Sequence, residues 1–234
     1  MDLLAALATE PAAAALCFDV DGTLAPIVPD PGDARVPDAT RAELHRLAGR
    51  YGLVACISGR TSERARAIVG VPELTYVGEH GLELDPAAAE WSGRIRAFGG
   101  QADWPVEVKP FSIAFHYRTA PNHVAAKRQL EVIEAAARAE GLRTRWGRLV
   151  LEVLPPIDAS KRTAVAHLLE QHGLRRALYA GDDTTDLDAF AALDGLELGI
   201  RVAVGSAEAP PALWARADIV VESPGELAKL LAEL

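Results

Sequence analysis

The feature that most restricts the fold is a set of three short apolar runs, each followed at once by polar or glycine-rich residues. The runs occupy residues 14–18, 53–57 and 177–180. Continuous apolar segments of this length are typical of parallel strands that are buried on both faces. Because open α/β sheets bind ligands beyond the carboxyl ends of their strands, the residues that follow each run are candidates for a functional site.

Helical patterns lie between these runs. Residues that can face a core recur there at the i, i+3, i+4, i+7 spacing of an amphipathic helix. The positions are Leu44, Leu47, Ala48 and Tyr51, then Val165, Leu168, Leu169 and His172, and finally Leu227, Leu230, Leu231 and Leu234. Two further strand candidates, residues 201–204 and 218–222, precede the last of these helices. The alternation predicts a doubly wound, Rossmann-like α/β core around a parallel sheet.

The middle of the chain has a different order of elements. Residues 111–118 have strand character, and residues 122–140 have helical character. Residues 143–146 and 149–153 form a hairpin pattern that turns near Gly147. The order strand, helix, strand, strand predicts a small α+β domain inserted into the core.

Prolines mark the exit from this insertion. We assign residues 1–84 and 156–234 to the core and residues 85–155 to the inserted domain, because Pro155 and Pro156 break its last strand. A chain of 234 residues, half of them hydrophobic, is long enough to bury a core in such an arrangement.

The charge balance limits the partners that the chain can bind. It has 33 acidic and 24 basic residues, a formal net charge of −9. We therefore predict no nucleic-acid partner and no binding to an anionic membrane surface. A phosphorylated small molecule remains compatible, because a few focused positive groups and a metal ion are enough to bind it. The sequence predicts no particular oligomeric state.

Cysteine usage and the amino terminus predict a cytoplasmic location. Cys17 and Cys56 lie inside apolar runs, so we interpret them as buried structural thiols, in keeping with a reducing compartment. The first twenty residues lack a basic segment and lead into a strand, so we predict no signal peptide. No uncharged apolar stretch approaches the ~18 residues of a membrane span.

The segment after the first run, DVDGTL, places two carboxylates at the end of a buried strand. Asp19 and Asp21 stand two residues apart, and Gly22 begins a turn after them. Neighbouring acids repel each other unless a positive group intervenes. Mg²⁺ prefers carboxylate and carbonyl oxygens, so we predict a magnesium site here. The alternative is a polar turn that only closes the strand.

The second run ends in Ser58, Gly59 and Arg60. These residues offer a hydroxyl group, a glycine that permits close backbone approach, and a cation. All three suit a phosphoryl oxygen. An ordinary serine-glycine turn is the alternative.

The third run leads into GDDTTD, with three carboxylates at the start of a helix. They are Asp182, Asp183 and Asp186. Helix capping could account for Asp183 or Asp186, since acids are favoured at a helix amino terminus. It does not require three acids. Together with Asp19, one or two of them would complete an oxygen-rich magnesium site.

Lys161 is expected at the start of the helix that carries Val165, where its charge opposes the helix dipole. An anion should compensate it, and a phosphate bound at that helix end would do so. A solvated lysine on a fraying first turn is the alternative.

These segments predict phosphoryl transfer. We hypothesise that Asp19 attacks phosphorus to give an aspartyl-phosphate, and that Asp21 protonates the leaving oxygen and then activates water. Magnesium, Lys161 and Ser58 would neutralise the phosphoryl oxygens. The predicted phosphate-binding residues are Thr23, Ser58, Gly59, Arg60 and Lys161.

In their order, DVDGTL, SGR, Lys161 and GDDTTD resemble the four signature motifs of the haloacid dehalogenase-like superfamily. The resemblance implies that the first aspartate is the nucleophile and the second the acid/base, which agrees with the interpretation of Asp19 and Asp21. It implies magnesium ligation by Asp19, Asp21 and Asp182, with Asp183 and Asp186 as nearby candidates.

A closer resemblance is to trehalose-6-phosphate phosphatases, through DVDGTLAPI, ISGR, EHG, KPFSIAFHYR, LVLEV and GDDTTDLDAF. It implies that the inserted domain is a cap that closes over the core site and contacts the sugar hydroxyls. The residues that it implies for substrate binding are Glu79, His80, Lys109, Ser112, His116, Arg118, Arg148 and Glu152. Alternation along residues 112–118 could equally give one polar face of a half-buried strand.

The chain also departs from the family pattern. Arg148 stands where lysine is expected, Leu154 where arginine is frequent, and Arg162 where glycine follows the motif lysine. The resemblance implies magnesium-dependent hydrolysis of trehalose 6-phosphate. A phosphatase for another disaccharide or pseudo-disaccharide phosphate, a phosphomutase, a phosphonatase and an inactive regulatory domain are the alternatives.

Overall fold

The computed structural model describes residues 3–147, 149–206 and 209–234. In chain order the strands are β1 (Ala14–Phe18), β2 (Leu53–Ile57), β3 (Thr75–Val77), β4 (Glu107–Val108), β5 (Ile113–His116), β6 (Arg143–Gly147), β7 (Val150–Leu154), β8 (Arg176–Gly181), β9 (Leu198–Val204) and β10 (Ile219–Val221). The α-helices are α1 (Leu3–Ala8), α2 (Asp38–Ala48), α3 (Ser62–Val69), α4 (Ala88–Gln101), α5 (His123–Ala139), α6 (Lys161–Gln171), α7 (Thr184–Ala191), α8 (Pro211–Arg216) and α9 (Pro224–Leu231).

A six-stranded parallel sheet, in the order β10-β9-β8-β1-β2-β3, organises the larger part of the chain. β1 lies in the middle, and every residue of β1 and β2 is buried, as expected for apolar strands covered on both faces. Helices α2, α3 and α9 contribute to a large apolar cluster with alternate residues of β1 and β8. Helices α6 and α7 contact the sheet through β2 and β8 and lie outside that cluster. The predicted doubly wound core is confirmed.

The core sheet has one strand that the sequence did not predict. β3 has three residues, only one of which is buried, and forms an edge beside β2. A strand this short at a sheet edge has too few apolar positions to produce a recognisable pattern.

The chain divides into two compact units. The core unit comprises the residues up to Gly81 and from Ala159 onward, and the inserted unit comprises Leu82–Asp158. The inserted unit contains an antiparallel sheet in the order β4-β5-β7-β6. Residues of α4 and α5 pack with Ile113, Phe115, Leu151 and Val153 in one apolar cluster, so both helices cover the same face of this sheet.

Helix α4 and strand β4 are additions to the predicted order of the insertion. α4 contains Gly93, Gly99 and Gly100, and glycine in a helix costs about 1 kcal/mol relative to alanine, which hid the helical pattern. Gly99 has a packing role, because a Cβ atom at this position would lie 3.0 Å from Cδ1 of Ile113 on β5. The glycine allows the helix to pack closely against the sheet.

Both cysteines are buried and unbonded. Burial raises the pKa of the Cys17 thiol to about 12 and also raises the pKa of Cys56. Both thiols therefore stay protonated near neutral pH, which suits the predicted structural role. Within the described ranges, no helix combines the length and the apolar character required to cross a membrane.

Candidate active site

Asp19 directly follows β1 at the carboxyl edge of the core sheet. Its backbone N–H donates to the carbonyl of Ala180 on β8 at 2.9 Å, which continues the sheet ladder past the end of the strand. Its side chain is 8 % exposed, and Oδ1 lies 2.7 Å from Nζ of Lys161. The sheet therefore fixes the backbone of Asp19 while its carboxylate meets a buried cation.

Lys161 is the first residue of α6, after the N-cap residue Ser160. Its side chain is 2 % exposed and lies between the carboxylates of Asp19 and Asp186, the latter at 2.8 Å. Burial acts to lower the pKa of Lys161, but the two carboxylates outweigh it, so its pKa is raised. The carboxylates of Asp19 and Asp186 therefore supply the negative charge that was expected to offset the unfavourable interaction of Lys161 with the helix dipole.

Four donors converge on the fully buried carboxylate of Asp186. Oδ1 accepts from Lys161 Nζ and from the hydroxyl of Tyr179, at 2.8 and 2.7 Å, and Oδ2 accepts from the backbone N–H groups of Asp182 and Asp183, at 2.9 and 3.0 Å. A carboxylate has about four acceptor positions, and all of them are used here. Asp186 therefore connects β8, α6 and α7.

Asp182 and Asp183 have different environments. Asp182 is buried, accepts from the hydroxyl of Thr23 at 3.0 Å, and has its pKa raised to about 7, mainly by burial. Asp183 caps α7, with Oδ1 accepting from the N–H of Thr185 and from its hydroxyl. The capping alternative raised from the sequence therefore describes Asp183 well.

Carboxylate oxygens of Asp19, Asp182 and Asp186 all lie within 4.8 Å of one another. Burial raises the pKa of Asp19 well above the ordinary carboxyl range, although Lys161 opposes the effect. Burial thus raises the pKa of both Asp19 and Asp182. Two buried carboxylates of this kind form a site that suits a hard cation such as Mg²⁺. Since the acceptor positions of Asp186 are occupied, Asp19 and Asp182 are the side chains that fit direct ligation.

Two glycines leave room for this cluster. Gly22 has φ +87°, and a Cβ atom on it would lie 2.1 Å from Oδ2 of Asp182. A Cβ atom on Gly181 would lie 2.2 Å from Cγ of Asp186. The turns after β1 and β8 can therefore bring the acids together only because both positions lack side chains.

Ser58 and Gly59 follow β2 at the same sheet edge. Ser58 is buried, its N–H donates to the carbonyl of Val77 at 2.9 Å, and its Oγ accepts from the N–H of Arg60 at 3.1 Å. A Cβ atom on Gly59 would lie 2.5 Å from Nε2 of His80. The sequence predicted that Gly59 permits a close approach to its backbone. The group that approaches it in the structure is the imidazole ring of His80.

Arg60 and Asp21 form a two-pronged ion pair. Nε of Arg60 lies 2.7 Å from Oδ2 of Asp21, and Nη2 lies 2.7 Å from Oδ1. The third guanidinium nitrogen, Nη1, donates to the carbonyl of Pro31 at 3.1 Å. The sequence predicted phosphate binding for Arg60, whereas its guanidinium contacts the side chain of the predicted acid/base.

Glu79, His80 and Gly81 have φ values of 47°, 55° and 104°. The N–H of Glu79 donates to the carbonyl of Arg60 at 2.8 Å, and that of His80 to the carbonyl of Ser58 at 2.9 Å. Successive positive φ angles at non-glycine residues are costly and persist where surrounding contacts hold them, often at functional sites. Both residues predicted at this segment are therefore held against the end of β2.

The inserted unit has its own charge cluster, partly buried, on the sheet face opposite its helices. Oε1 of Glu152 on β7 lies 2.9 Å from Nζ of Lys109, and Oε2 lies 2.9 and 2.6 Å from Nε and Nη2 of Arg145 on β6. Glu152 is paired with Ala114 on β5 and with Arg145 on β6 in the sheet register. The structure therefore brings together two predicted substrate residues, Lys109 and Glu152.

The other predicted residues of this unit have separate surroundings. Ser112 is buried, and its carbonyl accepts from the N–H of Lys109 at 2.9 Å. His116 is exposed and lies 2.8 Å from Oε2 of Glu107, and Arg118 is also exposed. Arg148, predicted for substrate binding, lies outside the described residues.

Sequence reasoning missed two residues of these clusters. Tyr179 was interpreted only as an apolar strand residue, and nothing in the run indicates that its hydroxyl meets Asp186. Arg145 stands opposite Glu152 in the β6–β7 hairpin. Counting the hairpin register outward from Gly147 would have predicted that pairing.

Comparisons with known proteins find a matching family model and similar sequences. The trehalose-phosphatase family model matches residues 17–98 and 103–212. A trehalose-phosphate phosphatase of Mycobacterium ulcerans is 35% identical over 248 aligned positions, which cover 94% of this chain and 61% of that protein. One of Mycobacterium avium is 38% identical over 208 positions, covering 77% of this chain and 51% of that protein. This chain therefore spans between half and two thirds of the length of these relatives.

The fold is also similar to that of a solved structure. The C-terminal domain of C. albicans trehalose-6-phosphate phosphatase superposes with a TM-score of 0.79 at 23% sequence identity, and the match covers 98% of this chain and 95% of that domain. Because the family model spans most of the sequence and includes the segments that form the cluster around Asp19, this chain belongs to the trehalose-phosphatase family.

Proposed function

We propose that this chain hydrolyses trehalose 6-phosphate to trehalose and phosphate, with Asp19 as the nucleophile. The observation that carries the proposal is the buried carboxylate of Asp19 at the end of the central strand, 2.7 Å from Lys161 and grouped with Asp182. The function of the matching mycobacterial relatives, given by their names, supports the choice of substrate.

The first chemical step is attack on phosphorus. An oxygen of Asp19 forms a bond to phosphorus while the bond from phosphorus to the sugar oxygen breaks. The side chain of Asp21 is 37 % exposed, so it can first take up a proton from solvent on one oxygen, which gives up its bond to Arg60. Asp21 then gives this proton to the departing oxygen, which leaves as a hydroxyl group of trehalose. Lys161 neutralises part of the negative charge that gathers around Asp19 and the phosphoryl oxygens.

The second step hydrolyses the aspartyl-phosphate. Asp21, now without its proton, takes one from a water molecule as the water attacks phosphorus. The bond between phosphorus and the oxygen of Asp19 breaks, inorganic phosphate leaves, and both carboxyl groups return to their starting states. One residue therefore serves as acid and then as base.

We assign the magnesium ligands to Asp19, Asp182 and the backbone carbonyl of Asp21. The ion would supply positive charge to the phosphoryl oxygens and favour the ionised form of the nucleophile. Asp186 acts indirectly, because its bonds to Lys161 and to the N–H of Asp182 hold both residues in place. A cytoplasmic location belongs to the same proposal and rests on the two buried free thiols.

Sugar recognition is assigned to the charge cluster of the inserted unit. Lys109 and Arg145 carry two positive charges around the single carboxylate of Glu152, which is 7 % exposed. Such a cluster holds its side chains in fixed directions and can offer both donors and an acceptor to sugar hydroxyls.

The proposed function is tested by phosphate release from a panel of trehalose 6-phosphate, sucrose 6-phosphate and glucose 6-phosphate. We expect the highest kcat/KM for trehalose 6-phosphate. EDTA should reduce release to background, and excess Mg²⁺ should restore it, because the buried carboxylates need a cation to bind an anionic substrate.

Each other outcome identifies an alternative. Preference for sucrose 6-phosphate would replace the proposed substrate with another disaccharide phosphate. Transfer of the phosphoryl group to a second sugar position, without free phosphate, would indicate a mutase. Absence of metal-dependent release from every member of the panel would favour an inactive regulatory domain.

Arg145→Ala tests the sugar-binding role of the inserted unit. We expect KM for trehalose 6-phosphate to rise about tenfold, with kcat little changed. This factor corresponds to the low end of the free energy that a hydrogen bond to a charged group contributes. Hydrolysis of p-nitrophenyl phosphate, which lacks the sugar, should be unaffected. Arg128→Ala, at an exposed position of α5, is the control. Equal losses on both substrates would contradict the sugar-binding role of Arg145.

A further inference from the structure

We propose that Arg60 is a positioning residue for Asp21 and not a ligand of the transferred phosphate. The inference rests on the proposed phosphatase function and assigns a role within it. Its basis is the paired contact in which Nε and Nη2 of Arg60 each lie 2.7 Å from a different oxygen of Asp21. A planar guanidinium that meets both oxygens fixes the plane of the carboxyl group as well as its place.

Asp21 needs such a restraint more than Asp19 does. The side chain of Asp21 is 37 % exposed, against 8 % for Asp19. Asp21 lies beyond the end of β1, directly before the turn at Gly22, whose N–H donates to the carbonyl of Ala25 at 2.8 Å. The contact with Arg60 therefore restrains a side chain that burial fixes less firmly than that of the nucleophile.

Arg60 is itself held at several points. Its Nη1 donates to the carbonyl of Pro31 at 3.1 Å, and its backbone N–H donates to Oγ of Ser58 at 3.1 Å. Its carbonyl accepts from the N–H of Glu79 at 2.8 Å. Contacts at the end of β2 therefore hold Arg60 in place, and its guanidinium in turn restrains the side chain of Asp21, which follows β1.

The role of Asp21 makes its orientation important for some substrates only. A sugar oxygen leaves as an unstable alkoxide unless a proton reaches it as the bond to phosphorus breaks. Asp21 supplies that proton from one oxygen, after taking it up from solvent, while its other oxygen keeps the bond to Arg60 that orients the group. p-Nitrophenolate is stable and leaves without a proton. Loss of the restraint on Asp21 should therefore slow the hydrolysis of sugar phosphates far more than the hydrolysis of p-nitrophenyl phosphate.

The test compares kcat/KM of Arg60→Ala for trehalose 6-phosphate and for p-nitrophenyl phosphate. This quantity covers the steps up to departure of the leaving group, so hydrolysis of the aspartyl-phosphate does not contribute to it. We expect a loss of about 10²-fold on trehalose 6-phosphate and of less than about 5-fold on p-nitrophenyl phosphate, because general acid catalysis contributes on that scale. An equal loss on both substrates would overturn the proposal and restore phosphate binding.

A double-mutant cycle gives an independent readout. If Arg60 acts through Asp21, adding Arg60→Ala to Asp21→Asn should cause no further loss on trehalose 6-phosphate, whereas additive losses would contradict the proposal. Arg66→Ala is the control, since its side chain donates to the carbonyl of Pro72 away from this cluster. Should Arg60→Ala fail to fold, Arg60→Lys decides, because lysine keeps the charge and lacks the two-pronged contact.

Failure of the proposed function would look different. A wild-type protein that hydrolyses glucose 6-phosphate but not trehalose 6-phosphate would refute the proposed substrate, and the same comparison with glucose 6-phosphate would still decide the role of Arg60. A wild-type protein without activity on any phosphate monoester would refute both.

Discussion

Asp19→Asn is expected to lower kcat for trehalose 6-phosphate by about 10⁴-fold or more, the scale seen when a catalytic nucleophile is removed. The amide is nearly the same size as the carboxylate, so the backbone contact between residue 19 and Ala180 should remain. It is a poor nucleophile, however, and it cannot form the aspartyl-phosphate. Acid-quenched reactions with radiolabelled substrate should accordingly contain labelled protein for the wild type and none for the variant.

Asp188→Asn provides the matched control. This residue lies at an exposed position of α7, so the same chemical change should leave kcat unaffected. Retention of more than a few per cent of wild-type turnover by Asp19→Asn would remove Asp19 from the role of nucleophile.

Lys161→Met should reduce both activity and stability. Its side chain is 2 % exposed and meets the buried carboxylates of Asp19 and Asp186. Removing the cation leaves both acids uncompensated, which typically costs about 3–5 kcal/mol. We also expect kcat to fall by about 10²- to 10³-fold, as when one charge-stabilising donor is removed from an active site.

Urea unfolding in EDTA measures the stability change without a bound cation, and phosphate release with Mg²⁺ measures the activity. Lys229→Met, at an exposed position of α9, is the control for the loss of a lysine charge. An unchanged unfolding midpoint for Lys161→Met would show that the carboxylates do not depend on this lysine.

The sequence predicted the core sheet because its strands are continuous apolar runs. β1 and β2 have the predicted bounds, and the acids after β1 and β8 meet at one sheet edge because parallel strands end on the same side. Helix α4 was missed, since its three glycines weaken the helical pattern.

Side-chain partners were harder to predict than positions. The sequence placed a cation at position 60 beside the candidate site, but its contact with Asp21 depends on how the loops after β1 and β2 are arranged in space. The same applies to Asp186, whose four donors come from different elements. Residue type and spacing identify the groups that can react, and only the folded structure identifies which of them hold the others in place.

The position of Asp19 directly after β1 also limits where the chain can gain or lose residues. One residue added to or removed from β1 would shift Asp19 along the sheet by about 3.3 Å and turn its side chain toward the opposite face. Either change would separate it from Lys161, which now lies 2.7 Å away. Differences in length among members of this family should therefore collect in loops at the amino ends of the strands, which lie at the opposite edge of the sheet from Asp19.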